Sequence, residues 1–280
     1  MRRYAVRNAD VPEGPKIRCS GIKNSIPRRR HSEKMYPNNS RRSVPHNIIR
    51  TISKSGLCSR KEALGLVMAG RVKIKGKTVR DPGTMISGSG NVFVDGKELP
   101  KIKKRYILFH KPGGYVTTRK DELGRPTVYE LLKDIDDWIF PIGRLDRDSE
   151  GLLIFTNDTK FGNVLTEPRF KIERTYEVLI DGPISNDEIL RMLKGVDIGR
   201  GEKAQPVSVK ILDKKDNCSW VRISLEGGKN REIRRLFERF NKPVKRLIRT
   251  KFGPFVLSAI KPGRWIELKE IPPEISKLIR

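Results

Sequence analysis

Histidine, cysteine and acidic residues are scarce in this chain of 280 residues, and each scarcity removes a class of chemistry. The three histidines, His31, His46 and His110, never fall in His-x-x-x-His spacing, which argues against a zinc enzyme or a Ser-His-Asp hydrolase. The three cysteines, Cys19, Cys58 and Cys218, are odd in number and widely scattered. They form neither a disulfide framework nor a metal-ligand pattern, so a reducing, cytoplasmic setting and no bound metal are expected. No apolar run approaches the roughly 18 residues that a membrane span needs, and no membrane partner is expected. Acids are outnumbered, 33 Asp+Glu against 60 Lys+Arg, leaving a net charge of +27. Such an excess points to nucleic acid ahead of an anionic membrane or mere solubility.

The length suggests roughly two domains. Residues 1–45 lack periodicity; the first 44 hold nine Arg and three Lys against three acids, with scattered Pro, Ser and Asn. Such a segment buries too little apolar surface to offset its ordering entropy and is expected to be disordered. An RNA-touching arm, an organellar transit peptide and an upstream start with Met35 as the true one all fit it; an arm without catalytic role is preferred. Residues 46–100 read as a small domain. Ile48, Ile49 and Ile52 recur at helical spacing, and Ser59-Arg60-Lys61-Glu62 is a capping box opening a helix that Gly70 ends. Val72 to Val79 alternates apolar and basic residues around a turn, a hairpin signal, and Val92 to Val94 reads as a further strand. Arg60, Lys61, Arg71, Lys73, Lys75 and Lys77 make a basic face offset only by Glu62. An RNA-contacting surface and a merely solvated one both fit that face, and the density of charge favours RNA. The run Gly56-Leu57-Cys58-Ser59-Arg60-Lys61-Glu62-Ala63 with Ala69-Gly70-Arg71-Val72-Lys73-Ile74 resembles the small αL-type RNA-binding domain of a ribosomal small-subunit protein and several RNA-modifying enzymes.

After a charged linker, Lys101 to Arg105, residues 105–280 read as a second domain. Strands are expected at 106–110, 152–156, 175–180, 206–212, 220–225, 255–257 and 265–268, and helices near 128–132, 187–194 and 231–240. Strands dominate without strict alternation with helices, so an α+β fold with a mixed, largely antiparallel sheet is expected. Three stretches carry the chemistry. In Gly143-Arg144-Leu145-Asp146-Arg147-Asp148-Ser149-Glu150, acids crowd at the mouth of an apolar strand. A carboxylate between two guanidinium groups is held ionised, which suits a nucleophile better than an acid. The pattern imitates the opening of an EF-hand calcium loop, but its twelfth position is Asn157 and its ligand end is a strand. A salt-bridged turn without chemistry is the competing reading. Arg174-Thr175-Tyr176 places an amphipathic ring on a strand, and a core tyrosine is the rival reading there. Glu226-Gly227-Gly228 feeds a basic helix, with ten Lys+Arg and two Glu between Lys229 and Lys251.

Taken in order, these motifs resemble the pseudouridine synthases of the RsuA/RluB type over about residues 46–270. Lys111-Pro112-Gly113-Gly114, Gly124-Arg125-Pro126-Thr127-Val128, Asn230-Arg231-x-Ile233-Arg234-Arg235 and Pro243-Val244 with Leu247 and Arg249 belong to the same match. The resemblance implies a pseudouridine-synthase catalytic domain behind the small RNA-binding domain. It implies Asp146 as the catalytic aspartate, Tyr176 as the active-site tyrosine over the target base, and Arg234 as the arginine ion-paired with Asp146. Ile233 matches an apolar pocket residue and Arg144 an arginine near the flipped nucleotide. Arg231 and Arg235, with Arg60, Lys61, Arg71 and Lys73, are expected to contact RNA. Glu232 stands where many such proteins have glutamine, a departure expected to tune activity rather than abolish it. The implied reaction breaks and remakes a bond within one nucleotide, so no cofactor is required. The implied partner is ribosomal RNA, large-subunit by slight preference, acted on by a monomer. An idle ribosomal-RNA-binding or ribosome-assembly protein on the same scaffold is the alternative, against which intact Asp146, Tyr176 and Arg234 argue.

Overall fold

The computed structural model describes residues 46–86, 91–100 and 103–279. The expected extension over residues 1–45, including Cys19, His31 and Met35, lies outside the described residues, as do positions 101 and 102 of the charged linker. No described helix is long and apolar enough to cross a membrane.

The amino-terminal part opens with a two-residue strand, His46–Asn47, paired with Met85–Ile86, and then α1 (Ile48–Lys54), whose first turn is capped by Asn47 accepting from the Ile49 N–H at 2.9 Å. The Ser59–Glu62 capping box forms in full and starts α2 (Arg60–Met68). Four short strands follow, β1 (Val72–Ile74), β2 (Lys77–Val79), β3 (Val92–Val94) and β4 (Lys97–Glu98), in the order β2-β1-β3-β4. Ile48, Ile52, Ala63, Val67, Val72 and Val92 are wholly buried between the helix pair and the sheet. Each large apolar side chain so buried contributes about 1.5–3 kcal/mol. Gly56, between the two helices, lies against Trp138 of the larger part.

The larger part is built on a nine-stranded sheet. Its strands are β5 (Tyr106–Lys111), β6 (Phe140–Ile142), β7 (Glu150–Thr156), β8 (Arg174–Asp181), β9 (Ser208–Lys215), β10 (Cys218–Leu225), β11 (Val244–Phe252), β12 (Phe255–Val256) and β13 (Trp265–Glu267). The main path runs β9-β10-β8-β11-β7-β5-β13, with β6 on β7 and β12 on β11. Every pairing in it is antiparallel except β11 with β7, which meet in parallel at Ile248↔Glu150 and Arg249↔Gly151. The sheet is therefore mixed and largely antiparallel. Helices α3 (Thr159–Thr166) and α6 (Pro273–Ile279) cover one apolar cluster around Phe161 and Phe252. Helices α4 (Asn186–Lys194) and α5 (Glu232–Glu238) cover another around Val178, Leu236 and Phe237.

The structure departs from the expected elements in several places. The nine-residue β11 occupies the middle of the sheet, yet Lys245, Arg246, Arg249 and Lys251 hide its apolar alternation. Helix α3 was not expected; Asp158 caps it, accepting from the Lys160 N–H at 3.0 Å. The expected helix at 128–132 is a 3-10 turn over Val128–Leu131, and α5 begins one residue late because Arg231 takes a left-handed conformation at φ 49°.

Candidate active site

The loop from Gly143 to Ser149 joins β6 to β7 and is fixed almost wholly through its backbone. Buried Leu145 anchors it: the Thr117 hydroxyl donates to the Leu145 carbonyl at 2.8 Å and accepts from its N–H at 3.3 Å. Lys111, fully buried at the end of β5, donates from Nζ to the carbonyls of Arg147 at 3.0 Å and Ser149 at 2.7 Å. The Gly114 N–H adds a bond to the Arg147 carbonyl at 2.8 Å, and the Ser149 N–H closes the turn on the Asp146 carbonyl at 3.1 Å. Burial pulls the Lys111 pKa down to about 8, against the nearby Asp148, Glu150 and Asp146, so the clamp is fully charged only below that pH. With Leu145 held by Thr117 and Arg147 by Lys111 of β5, the Asp146 carboxylate is aimed by the scaffold, and 39% of its side chain remains open.

That carboxylate lines a cleft of about 810 Å³ together with Arg144, Tyr176, Ile233, Leu247 and Arg249. One row of register partners crosses the sheet beneath it: Ile223, Tyr176, Arg249, Gly151 and Lys111. Cross-strand partners present their side chains on one face, with Cβ atoms about 4.5–5.5 Å apart. Gly151 is the gap in that row, and nothing larger fits there. A Cβ at Gly151, whose φ is +103°, would lie 2.3 Å from the Arg249 carbonyl oxygen and 2.6 Å from its nitrogen. The half-buried Tyr176 ring packs between the α4–α5 cluster and a cluster built on Phe109, Leu145 and Phe155.

The far wall is the glycine loop before α5. Arg174 holds it, donating to the carbonyls of Glu226 and Gly227, each at 2.9 Å, and to Leu165 at the end of α3 at 3.1 Å. Glu232 is buried, and its carboxylate accepts from the Lys229 N–H at 3.0 Å, with Lys229 Nζ at 4.0 Å. A charged carboxylate at this helix start also meets the positive end of the helix dipole. The departure noted at this position thus has a structural use, closing the loop that leads into α5.

The structure brings Asp146, Tyr176, Ile233, Arg144 and Arg231 to one cleft. It separates others. Arg234 is not the direct partner of Asp146. Its guanidinium turns to the carbonyls of Val244 at 3.1 Å and Asp148 at 3.4 Å, whereas Arg231 stands 3.8 Å from the Asp146 carboxylate. The left-handed turn at Arg231 is what swings its side chain over the cleft. Burial, and then Arg231, lower the pKa of Arg234, while Asp146 and Asp148 act in the other direction. Arg235 is not free for RNA: only 12% of its side chain is exposed, and it is engaged by the Glu202 carboxylate and by the Ile198 and Gly199 carbonyls at 3.4 Å. Arg60, Lys61 and Lys73 are exposed, but the basic face is not offset by Glu62 alone. Asp95 accepts a bidentate pair from Arg71 at 2.7 and 2.6 Å. Arg249 in the cleft and the buried Lys111 behind the Asp146 loop were named in the motif match but given no role. Beyond that match, Lys111 showed only as a cation closing an apolar strand, while Arg249 was masked by Lys245, Arg246 and Lys251 on the same strand.

A family model described as RNA pseudouridylate synthase matches residues 105–239, and one described as S4 domain matches residues 50–92. The chain is 35% identical over 234 residues to the ribosomal large subunit pseudouridine synthase B of Bacillus subtilis, covering 82% of this chain and 94% of that protein. It is 36% identical over 221 residues to an RNA pseudouridine synthase of Aquifex aeolicus, covering 78% and 88% respectively. A solved structure described as pseudouridylate synthase superposes with a TM-score of 0.58 at 25% identity, over 83% of this chain and 99% of that one.

Proposed function

The chain belongs to the RNA pseudouridylate synthase family, and we propose that it isomerises a uridine of large-subunit ribosomal RNA with Asp146 as the catalytic carboxylate. The observation that carries the reading is the Asp146 loop itself. A carboxylate tied through its neighbours to Thr117 and Lys111, open to a cleft, and faced by a tyrosine is pre-aimed for a reacting nucleotide. The large-subunit substrate is supported by the likeness to the Bacillus subtilis enzyme, and the S4 match supports RNA binding by the amino-terminal part.

The reaction breaks the bond between uracil N1 and ribose C1′, turns the base, and joins C5 to C1′. Asp146 serves it by adding to the ring or the ribose, or by assisting loss of a ribose proton. Tyr176 supplies a surface for the base and a hydroxyl for proton transfer, and Ile233 and Leu247 give the base apolar contact. Arg231 balances the charge of Asp146, and Arg234, further back, fixes the backbone of Asp148 and β11 around it. A uridine inside a stack cannot reach this cleft, so it is flipped out, at a cost of a few kcal/mol. Phosphate contacts from Arg144 and Arg231 beside the cleft, and from Arg60, Lys61 and Lys73 on the amino-terminal part, offset that cost.

The test is carbodiimide-based primer-extension mapping of ribosomal RNA from a strain lacking the gene, with and without the gene restored. Loss of a pseudouridine in large-subunit RNA that returns on restoration is expected. An unchanged map of large-subunit RNA would overturn the substrate assignment.

A further inference from the structure

We infer that Arg249 is a further catalytic residue of this site, its guanidinium donating to a uracil carbonyl oxygen and stabilising the negative charge that gathers there as the N1–C1′ bond breaks. The inference rests on the reaction proposed above. Arg249 lines the cleft yet is only 2% exposed, and its Nε–H donates to the Leu152 carbonyl at 2.7 Å. One of its terminal nitrogens is buried with no acceptor in the protein. Among the described residues no carboxylate lies within ion-pair distance of it. A buried cation without an anion, keeping an unused N–H, is an expensive arrangement unless an acceptor arrives from outside.

The row across the sheet says where that acceptor arrives. Arg249 has Tyr176 as its partner on one side and the side-chain-free Gly151 on the other, directly below the loop that holds Asp146. A base lying against Tyr176 therefore meets Arg249 at its edge. The half-buried Arg174, also in the cleft, is not available for this. The N–H groups of Arg174 are taken by the carbonyls of Ile172, Leu165, Glu226 and Gly227. Arg174 and Arg249 repel one another while both lie over the Phe252 ring, and Glu232 acts on Arg174 in the opposite direction. Arg249 itself has no carboxylate paired with it among the described residues.

The chemistry supplies the missing anion. When the N1–C1′ bond breaks, its electron pair stays with the ring, giving a uracil anion whose charge is spread over N1, O2 and O4. The new bond from C5 to C1′ uses that electron density. The C5 proton then leaves and N1 gains a proton, so the product has the atoms of the substrate. Charge on the carbonyl oxygens exists only while neither bond is complete. A cation fixed beside them lowers the barrier without holding the substrate more tightly.

The test uses the full chain with Arg249→Gln and Arg249→Lys, and an RNA fragment carrying either uridine or 5-fluorouridine at the modified position. Fluorine makes N1 more acidic, so the fluorinated base leaves with less help. Consumption of the N-linked nucleoside is followed under single-turnover conditions by nuclease digestion and mass spectrometry, beside RNA binding and thermal unfolding. For uridine, Arg249→Gln should react about 10²–10³-fold more slowly. RNA affinity should stay within about threefold and part of the rate should return in Arg249→Lys; the rate for 5-fluorouridine relative to uridine should rise about tenfold over the parent's ratio. If both nucleosides slow equally in both variants, Arg249 is only a clasp between β7 and β11 and the inference is overturned; uridine turnover within threefold of the parent overturns it as well. Should Arg249→Gln not fold, the ratio measured in Arg249→Lys decides alone, an unchanged ratio refuting the inference. A parent enzyme that consumes neither nucleoside would instead overturn the proposed function.

Discussion

Replacing Gly151 with alanine should uncouple the middle of the sheet, and the size of the effect follows from the geometry. The added methyl would sit 2.3 Å from the Arg249 carbonyl oxygen and 2.6 Å from its nitrogen, whereas ordinary contact begins at 3.4 Å. The obstacle is backbone, so no side chain can swing aside; β7 and β11 must part by roughly 1 Å, more than their hydrogen bonds tolerate. That junction is short, with Ile248↔Glu150 and Arg249↔Gly151 as its only register pairs. Losing two ladder bonds costs about 0.5–1.5 kcal/mol each. Holding a non-glycine residue at this positive φ costs about 1–3 kcal/mol more. A total near 4 kcal/mol lowers Tm by about 8–16 °C for a domain of this size. Gly182 makes the control: its φ is +75° but nothing lies within 4 Å of its Cβ position, so Gly182→Ala should show the conformational cost alone. Scanning calorimetry of the two variants reads the difference. Equal and small shifts, both within about 3 °C of the parent, would refute the close-approach argument.

Arg231→Ala and Arg234→Ala should part company. The first removes a half-exposed pair worth at most about 1 kcal/mol, so turnover falls with Tm nearly unchanged. The second removes buried bonds to the Val244 and Asp148 carbonyls, on the order of 2–4 kcal/mol, so Tm falls with turnover; identical melting of the two variants would contradict the assignment. Tyr176→Phe should bind RNA as the parent does and turn over roughly 10²–10⁴-fold more slowly; near-parental turnover would leave the ring as packing alone. The double variant Lys61→Gln with Lys73→Gln should flatten the dependence of log K on log salt by roughly 0.7–0.9 for each phosphate that the protein no longer neutralises. A slope equal to the parent's would make the amino-terminal basic face a solvated surface.

Apolar strands such as β5, β7 and β10 were readable because their side chains are buried in unbroken or alternating runs. The β11 strand was not, since four of its positions are basic and its core-facing set includes a buried arginine. The same holds for the site. Arg144, Asp146, Tyr176 and Ile233 could be grouped from motif order, and the fold gathers them in one cleft. Which arginine faces Asp146 could not, because it depends on the left-handed backbone of Arg231, a conformation that a non-glycine residue does not advertise. The fate of Arg235 likewise hinges on Glu202 and on the Ile198 and Gly199 carbonyls of the hairpin between Val196 and Lys203, 33 to 37 positions earlier in the chain and brought beside it only by the fold.

The central claim is that Asp146 performs the chemistry in a cleft that holds RNA by other means. Asp146→Asn keeps the side-chain shape and leaves the anchors at Leu145, Arg147 and Ser149 in place. Pseudouridine formed in a large-subunit RNA fragment should be measured beside the affinity of the same variant for that RNA. The account predicts no detectable pseudouridine with affinity within about tenfold of the parent, a difference of about 1.4 kcal/mol. Turnover within tenfold of the parent would contradict it.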